Sequence, residues 1–279
     1  MNVDKDKLAK MKKITDDLNK KHLAGSEGGK KIVATGTELL EDLTPSFISS
    51  GIDQLDKDLG GGWAKGYITA ITGAPNIGKT GLCIEAVVQA QKQGDLVVWV
   101  AAEDFPYALA KARGVDFDML TILFTADYGE KTIDAVYSYL FDDSKNNKRA
   151  LGVVGLIVID SINGLIPKAL ADAYSKGGSE SQNQPGRRAA MMANYLESVT
   201  GRAMLGTNQT AMLLTAHQHV NIGGVSKYGP PLTMSGGETL KYLAKIIVVL
   251  KKDGIATVKD KNGWEQAVGH TVRYTLSKN

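Results

Sequence analysis

The chain has 279 residues, of which 43% are hydrophobic, and it carries a formal net charge of +3. This length and composition can supply the core of one large α/β domain, and the small net charge by itself indicates no particular partner. A single cysteine, Cys83, excludes an intrachain disulfide and favours a reducing compartment. No apolar run approaches the roughly 20 residues that span a bilayer, so we expect a soluble, cytoplasmic protein without a membrane partner.

The first 46 residues are predicted to form an appendage of one helix, a linker and a short strand. Apolar side chains recur at near-helical spacing over residues 4–22, and lysines fill much of the remaining surface. The glycine-rich stretch at 25–29 is typical of a flexible linker, and residues 31–34 favour a short strand. Such an appendage can dock on its own domain or on a neighbouring copy, and the residues alone favour neither.

From Phe47 onwards, predicted strands alternate with helices. The strands are predicted at 67–72, 96–101, 120–124, 155–159, 211–216 and 244–250, with a closing hairpin through Asp260–Gly263 into 270–276. These Val- and Ile-rich runs show little apolar–polar alternation, which is typical of strands buried on both faces of a parallel sheet. We therefore predict a doubly wound, largely parallel α/β domain over residues 47–279, with antiparallel strands at its C-terminal edge.

Two irregular polar stretches, at about 169–186 and 219–235, interrupt this alternation. They flank a helix predicted from about Arg187 to Ala203. Connections of this length inside a compact domain are usually functional or disordered. We therefore expect both stretches to serve the function of the protein.

A phosphate-binding loop is the strongest motif in the sequence. The spacing Gly-x-x-x-x-Gly-Lys-Thr follows an apolar strand and opens a predicted helix, so backbone N–H groups and the helix N-terminus would face phosphate oxygens. Lys79 supplies a mobile positive charge, and Thr80 supplies a magnesium ligand. The residues predicted to bind the nucleotide are Gly73, Ala74, Pro75, Asn76, Ile77, Gly78, Lys79, Thr80 and Gly81.

Three further polar residues each follow an apolar run, where strand ends meet the phosphate loop. Asp160 is placed as a carboxylate that meets Mg²⁺. Glu103 is placed to accept a proton from the water that attacks the γ-phosphate. Gln218 can donate an amide hydrogen bond to the γ-phosphate, and it begins the second irregular stretch, which would then respond to ATP or ADP.

Four features of the sequence occur in one order. They are Ser50-Gly51-Ile52-Asp53-Gln54-Leu55-Asp56, Ala102-Glu103, Asp160-Ser161 with Pro167-Lys168, and Gln218 followed by Ser235-Gly236-Gly237. With these features, the chain resembles the core of RecA-type recombinases over about residues 47–279. The helix and strand before this core are similar to those of the bacterial and phage form, in which they grip the adjacent protomer.

The resemblance implies a RecA-like P-loop ATPase that uses ATP and Mg²⁺. Members form helical filaments on single-stranded DNA, hydrolyse ATP in a DNA-dependent reaction, and exchange strands with a homologous duplex in recombination and repair. Accordingly, we expect a place in the nucleoid, or in the infected cell if the source is viral. The C-terminal domain of bacterial members has no counterpart in the sequence, as expected of a compact phage-like form or a shortened chain.

The resemblance also implies roles for individual residues. Lys79, Glu103 and Gln218 would be catalytic, with Gln218 as the γ-phosphate sensor, and Thr80 and Asp160 would hold the metal. Residues expected to reach ATP across the protomer interface are Lys241 and Lys278. Residues expected to contact DNA, in or beside the two irregular stretches, are Arg187, Arg188, Ile222, Gly223, Lys227, Tyr228, Ser235, Gly236 and Gly237.

Some positions depart from the family pattern. Near Leu109 the tyrosine that stacks on adenine is replaced, with Tyr107 a candidate substitute, so no base-contacting residue is assigned. Basic residues of the family are replaced at Ala190, Glu197, Val220 and Asn221. Because phosphate contacts from Lys and Arg dominate DNA affinity, we expect DNA binding to be weaker or differently distributed.

Two other classes of protein stay open as alternatives. One is a RecA-fold regulator or scaffold that binds ATP and assembles without strand exchange, and the other is a ring helicase. A regulator has no need of two long polar loops, and helicases usually carry a separate N-terminal or primase-binding domain. A small-molecule kinase is disfavoured because the sequence shows no arginine-rich lid.

Overall fold

The computed structural model describes residues 5–23, 46–125, 128–142, 149–175, 185–200, 208–220, 232–235 and 237–278. The chain forms two compact units, Met1–Pro45 and Ser46–Asn279. In the first unit, helix α1 (Lys5–Leu23) matches the helix predicted over residues 4–22. The strand predicted at 31–34 lies outside the described residues.

The second unit alternates strands and helices as the sequence predicted. Its strands are β1 (Phe47–Ile48), β2 (Trp63–Ala64), β3 (Ile68–Gly73), β4 (Leu96–Ala101), β5 (Leu120–Phe124), β6 (Phe141–Asp142), β7 (Arg149–Ala150), β8 (Val154–Asp160), β9 (Ala211–Val220), β10 (Leu232–Met234), β11 (Ile246–Lys259) and β12 (Glu265–Lys278). Its helices are α2 (Asp53–Leu59), α3 (Lys79–Lys92), α4 (Tyr107–Arg113), α5 (Gly129–Leu140), α6 (Lys168–Ser175), α7 (Pro185–Thr200) and α8 (Gly237–Leu243), with a 3-10 turn at Ile162–Gly164.

The main sheet has the strand order β12–β11–β3–β9–β8–β4–β5. Each neighbouring pair from β11 to β5 is parallel. At one edge, β11 and β12 pair antiparallel as a hairpin, and β10 pairs antiparallel with the end of β9. The predicted sheet, largely parallel with antiparallel strands at its C-terminal edge, is therefore confirmed.

Helices cover both faces of this sheet. Helices α2, α3 and α4 pack on one face, here called the α3 face, around buried residues that include Cys83 and Trp99. Helices α5, α7 and α8 pack on the other, here called the α5 face, around residues that include Leu140 and Met192. Burial on both faces explains why the strands lack an apolar–polar alternation. Among the described helices, none combines the length and apolar character needed to cross a membrane.

The two stretches predicted to be irregular are partly regular. The first begins in α6, because Lys168–Ser175 contains alanine and leucine residues with high helix propensity. The second begins and ends in strands, since β9 continues to Val220 and pairs there with β10. The remaining parts of both stretches, residues 176–184 and 221–231, lie outside the described residues.

The C-terminal hairpin is longer than predicted. Strand β11 pairs with β3 over Ile246–Leu250 and then continues with β12 as a two-stranded ribbon. The turn is closed by Asp260, whose Oδ1 accepts hydrogen bonds from the backbone N–H groups of Asn262 and Trp264 at 2.8 and 2.9 Å. Side chains of the ribbon are mostly exposed, so an apolar run did not mark its extent.

Candidate nucleotide site

The phosphate loop spans the connection from β3 to α3. Gly78, which precedes α3, has φ +103°, a left-handed conformation that favours glycine. A Cβ at Gly73 would lie 2.7 Å from the carbonyl oxygen of Leu250, so a side chain there would push β11 away. The first turn of α3 carries no acidic side chain, and its backbone N–H groups are suited to an anion.

Lys79 is folded back onto this loop. Its Nζ donates hydrogen bonds to the carbonyl oxygens of Ala74 at 2.9 Å and Gly73 at 3.2 Å, and the residue is 7% exposed. Burial lowers the pKa of Lys79, and the carboxylates of Asp160 and Glu103 partly oppose this shift. A phosphate would replace two neutral acceptors with a charged one, so the ammonium is suited to bind it.

Asp160 is the buried carboxylate at the end of β8. Its Oδ2 accepts a hydrogen bond from Thr80 Oγ1 at 2.8 Å, and its Oδ1 accepts one from Thr215 Oγ1 at 2.5 Å. Burial raises the pKa of Asp160, and these two hydrogen bonds act in the opposite direction. Mg²⁺ prefers oxygen ligands and usually takes one or two carboxylates together with substrate phosphates and water. Asp160 and Thr80 therefore fit a magnesium–nucleotide complex.

Glu103 follows β4 and is fastened to the end of β8. The backbone N–H groups of Ala102 and Glu103 donate to the carbonyl oxygen of Asp160 at 3.0 and 3.2 Å. Oε1 of Glu103 accepts a hydrogen bond from Ser161 Oγ at 2.5 Å and lies 3.3 Å from His217 Nε2. Burial would raise the pKa of Glu103, but the bonds from Ser161 and His217 outweigh it and lower the pKa. The carboxylate is therefore ionised at neutral pH, as a general base must be.

Strand β9 adds two residues that sequence reasoning did not select, Thr215 and His217. Thr215 contacts Asp160, and His217 contacts Glu103. Gln218 is the next residue of β9 after His217 and by alternation belongs to the other face of the sheet, so its contact with the γ-phosphate stays a prediction. Gln218 continues the series of Leu214 and Ala216, which belong to the core of the α5 face. The sequence did contain a signal for these two residues, because they are polar and lie at positions i and i+2 of an otherwise apolar run, on the same side of a strand.

Six other predicted residues lie in described parts of the chain, all of them at positions that follow β8. Arg187 lies in α7, where its Nη1 donates to the carbonyl oxygen of Ala169 at 3.3 Å, and Arg188 lies in the same helix. Ser235 is buried after β10. Gly237 begins α8, Lys241 lies in its last turn, and Lys278 ends β12. The predicted residues that lie outside the described ones are Ile222, Gly223, Lys227, Tyr228 and Gly236.

Comparison with known families agrees with this geometry. The model of the RecA N-terminal domain matches residues 14–279, which include every residue of the candidate site. This chain belongs to the RecA family. RecA-family membership confirms the resemblance that the order of the motifs indicated.

Several bacterial relatives carry the name "Protein RecA". The protein from Fusobacterium nucleatum is 33% identical over 283 residues, which cover 99% of this chain and 68% of that protein. The one from Nitratiruptor is 32% identical, covering 94% of this chain and 70% of its own length. The one from Porphyromonas gingivalis is 31% identical, covering 99% and 73%.

Proposed function

We propose that this chain is an ATP-dependent recombinase that assembles on single-stranded DNA and exchanges strands with a homologous duplex. One observation carries the proposal. The phosphate loop, the Asp160–Thr80 pair and Glu103 lie together at the carboxyl ends of the parallel strands in a RecA-family fold. RecA-family membership supports ATP and Mg²⁺ as the cofactors.

In this proposal, each residue of the site has a task that follows from its contacts. Lys79 exchanges its two backbone acceptors for phosphate oxygens. Thr80 and Asp160 would hold Mg²⁺, which would supply neutralisation of the phosphate charge. Glu103, kept ionised by Ser161 and His217, accepts a proton from the attacking water.

Binding of DNA and of the neighbouring protomer rests on the family resemblance. Lys241 and Lys278 would complete the nucleotide site of an adjacent protomer. Arg187 and Arg188 would contribute phosphate contacts beside the first predicted loop, although the guanidinium of Arg187 also holds α6 through Ala169. ATP hydrolysis would then serve as the step that releases DNA.

The decisive experiment measures ATP turnover with and without single-stranded DNA, alongside electron microscopy of the assemblies. We expect DNA to stimulate turnover and filaments to form with ATP. The Lys79→Ala variant serves as the control for contaminating ATPases, because it removes the charged phosphate ligand. Turnover that is indifferent to single-stranded DNA would overturn the recombinase proposal and favour the RecA-fold regulator.

A further inference from the structure

We propose that the hydrogen bond between Tyr274 and Asp58, here called the Tyr274–Asp58 latch, fixes the position of the edge strand β12 and thereby positions Lys278 for the nucleotide site of the adjacent protomer. The inference rests on the proposed function, which assigns Lys278 to that site. Tyr274 and Asp58 would act through Lys278 and not on the nucleotide itself, so both are positioning residues. Such residues are needed because the C-terminal ribbon is weakly attached to the rest of the second unit.

Strand β12 is the edge strand of the main sheet and pairs with β11. Strand β11 pairs with β3 over Ile246–Leu250 and then continues beyond it, so the rest of the hairpin is a two-stranded ribbon. Most side chains of this ribbon are exposed, and two paired strands by themselves are marginally stable in water. A further contact at the base of the ribbon is therefore needed to hold β12 in one position.

Tyr274 lies at this base, level with the phosphate loop. It pairs with Leu250, the last residue of β11 that pairs with β3, and Leu250 in turn pairs with Gly73. Tyr274 and Leu276 also pack against the core of the α3 face. The ribbon is therefore anchored at the level of the first residue of the phosphate loop.

The latch itself joins two elements that are far apart in the sequence. The hydroxyl of Tyr274 donates a hydrogen bond to Oδ2 of Asp58 at 2.5 Å, across 216 residues. Asp58 lies near the end of α2, and its Oδ1 accepts a second hydrogen bond from Nε2 of Gln54 at 3.0 Å. The bond to Asp58 raises the pKa of Tyr274 to about 12, so the hydroxyl stays protonated and donates at neutral pH. Helix α2 thus holds β12 in addition to the pairing with β11.

Lys278 follows Tyr274 by four residues on the same strand. At the rise of an extended strand, about 13 Å of backbone separate the two residues, so a shift of β12 at Tyr274 is carried on to Lys278. A misplacement of about 1 Å at a group that assists a reaction can lower the rate by about 10²-fold. Because Lys278 would serve the adjacent protomer, loss of the latch should impair the neighbour's nucleotide site and spare the chain's own site.

The test measures ATP turnover of the full chain as a function of its concentration, because a site shared between protomers gains activity on assembly. Tyr274→Phe should lower the turnover of the assembled chain by about 2- to 10-fold, the equivalent of one net hydrogen bond, while ATP binding by the dilute chain is retained. Asp58→Ala should show the same loss. Asp58→Asn should restore part of the turnover, because its amide oxygen still accepts a hydrogen bond. Gln54→Ala is the matched control, since it removes the other hydrogen bond of Asp58 and keeps the latch.

Mixed assemblies show whether the latch acts on the neighbouring protomer. Glu103→Gln should lack turnover but keep its phosphate ligands and its ribbon, so adding it to Tyr274→Phe supplies intact ribbons beside active sites. Turnover per Tyr274→Phe chain should then rise towards that of the wild-type chain. Adding a chain that carries both Glu103→Gln and Tyr274→Phe should give no rise. The Tyr274→Phe/Lys278→Ala double variant should be no slower than Lys278→Ala alone, because both changes affect one contact.

Several results would overturn the inference. Wild-type turnover in Tyr274→Phe, or additive losses in the double variant, would reject the latch. A loss of turnover that mixing does not correct would mean that Tyr274 acts on its own protomer. Turnover of the wild-type chain that does not depend on its concentration would show that no site is shared. If turnover depends on concentration but is indifferent to single-stranded DNA, the recombinase function fails, whereas the mixed assemblies still decide the role of Tyr274 and Asp58.

Discussion

At the scale of single residues, the candidate site is organised by hydroxyl groups that hold two carboxylates in place. Thr80 and Thr215 hold Asp160, and Ser161 holds Glu103. Burial acts in the same direction on both carboxyl groups, yet the pKa of Asp160 is raised and that of Glu103 is lowered. Two carboxyl groups of the same site are thus suited to different tasks, Asp160 as a metal ligand and Glu103 as a base.

Replacing the proposed base tests its role directly. Glu103→Gln should lower kcat by about 10²- to 10⁴-fold, because the amide cannot accept a proton from water. Binding of ATP and assembly on DNA should persist, as the phosphate ligands are untouched. Steady-state turnover and equilibrium ATP binding measure the two effects. The neighbouring exposed Asp104→Asn is the matched control, and unchanged turnover in Glu103→Gln would reject the assignment.

Removing the hydrogen bond from Ser161 should move the pH dependence of the reaction. This bond lowers the pKa of Glu103, so Ser161→Ala raises that pKa. Because a base must be ionised to act, the acidic limb of the kcat/KM profile should shift to higher pH. Loss of one hydrogen bond, worth about 0.5–1.5 kcal/mol, should reduce the rate at pH 8 by no more than about tenfold.

The control for this profile is Ser138→Ala. The Ser138 hydroxyl donates to the carbonyl oxygen of Asp134 on an exposed helix surface. Its profile should overlay that of the wild-type chain. An acidic limb that stays in place, or moves to lower pH, in Ser161→Ala would contradict the assignment of Glu103 as the base.

At the scale of elements, the site depends on the close approach of the backbone after β8 to the backbone after β4. The turn after β8 passes directly over the end of β4, where a Cβ at Gly164 would lie 2.1 Å from the carbonyl oxygen of Ala102. That backbone leads into Glu103. The glycine therefore permits an approach that positions the proposed base.

Gly164→Ala should both destabilise the fold and impair catalysis. Overpacking at a rigid backbone contact costs about 1–3 kcal/mol of unfolding free energy. Displacing Glu103 by about 1 Å is expected to lower kcat/KM by about 10²-fold. Thermal unfolding and ATPase assays measure these effects. Gly186→Ala in α7 is the control, since a Cβ there meets nothing within 4 Å, and equal behaviour of the two variants would refute the argument.

At the scale of the whole molecule, the two units differ in how far their apolar side chains are buried. Every residue of the two core clusters lies at position 48 or later, so the second unit contains its own core. Helix α1 instead presents apolar side chains that are 60–68% exposed: Leu8, Met11 and Ile14. The family resemblance assigns this helix to the adjacent protomer, and an apolar stripe is what such a contact requires.

Ile14→Asp should therefore abolish assembly without unfolding the core. A charge within the stripe would be desolvated at the protomer contact, at a cost of several kcal/mol per ion. Sedimentation velocity with AMP-PNP and single-stranded DNA measures assembly, and thermal unfolding measures the core. Ala9→Asp introduces the same charge at an exposed position outside the stripe and should assemble. Filaments of normal length in Ile14→Asp would show that the α1 stripe is not the contact.

The amino-acid sequence by itself determined the family, the strand order along the chain and most of the candidate site. The phosphate loop is a local structure, since its spacing, glycines and following helix lie within a few residues of one another. Lys79, Thr80, Glu103 and Asp160 were predicted because each occupies a position that the end of a strand or the start of a helix specifies. Such positions can be read from short runs of sequence.

The tertiary structure alone decided which residues of β9 contact the two carboxylates of the candidate site. A continuous apolar run does not indicate which alternate residues face which side of the sheet, because both faces of a central strand are buried. The phase became visible through contacts to residues far apart in sequence: Thr215 with Asp160, and His217 with Glu103. Asn163 was not predicted for the same reason. It accepts a hydrogen bond from the backbone N–H of His217 and donates one to Ser235, and both partners lie more than 50 residues away in sequence. Long-range register, unlike local spacing, is set by the packing of the whole sheet.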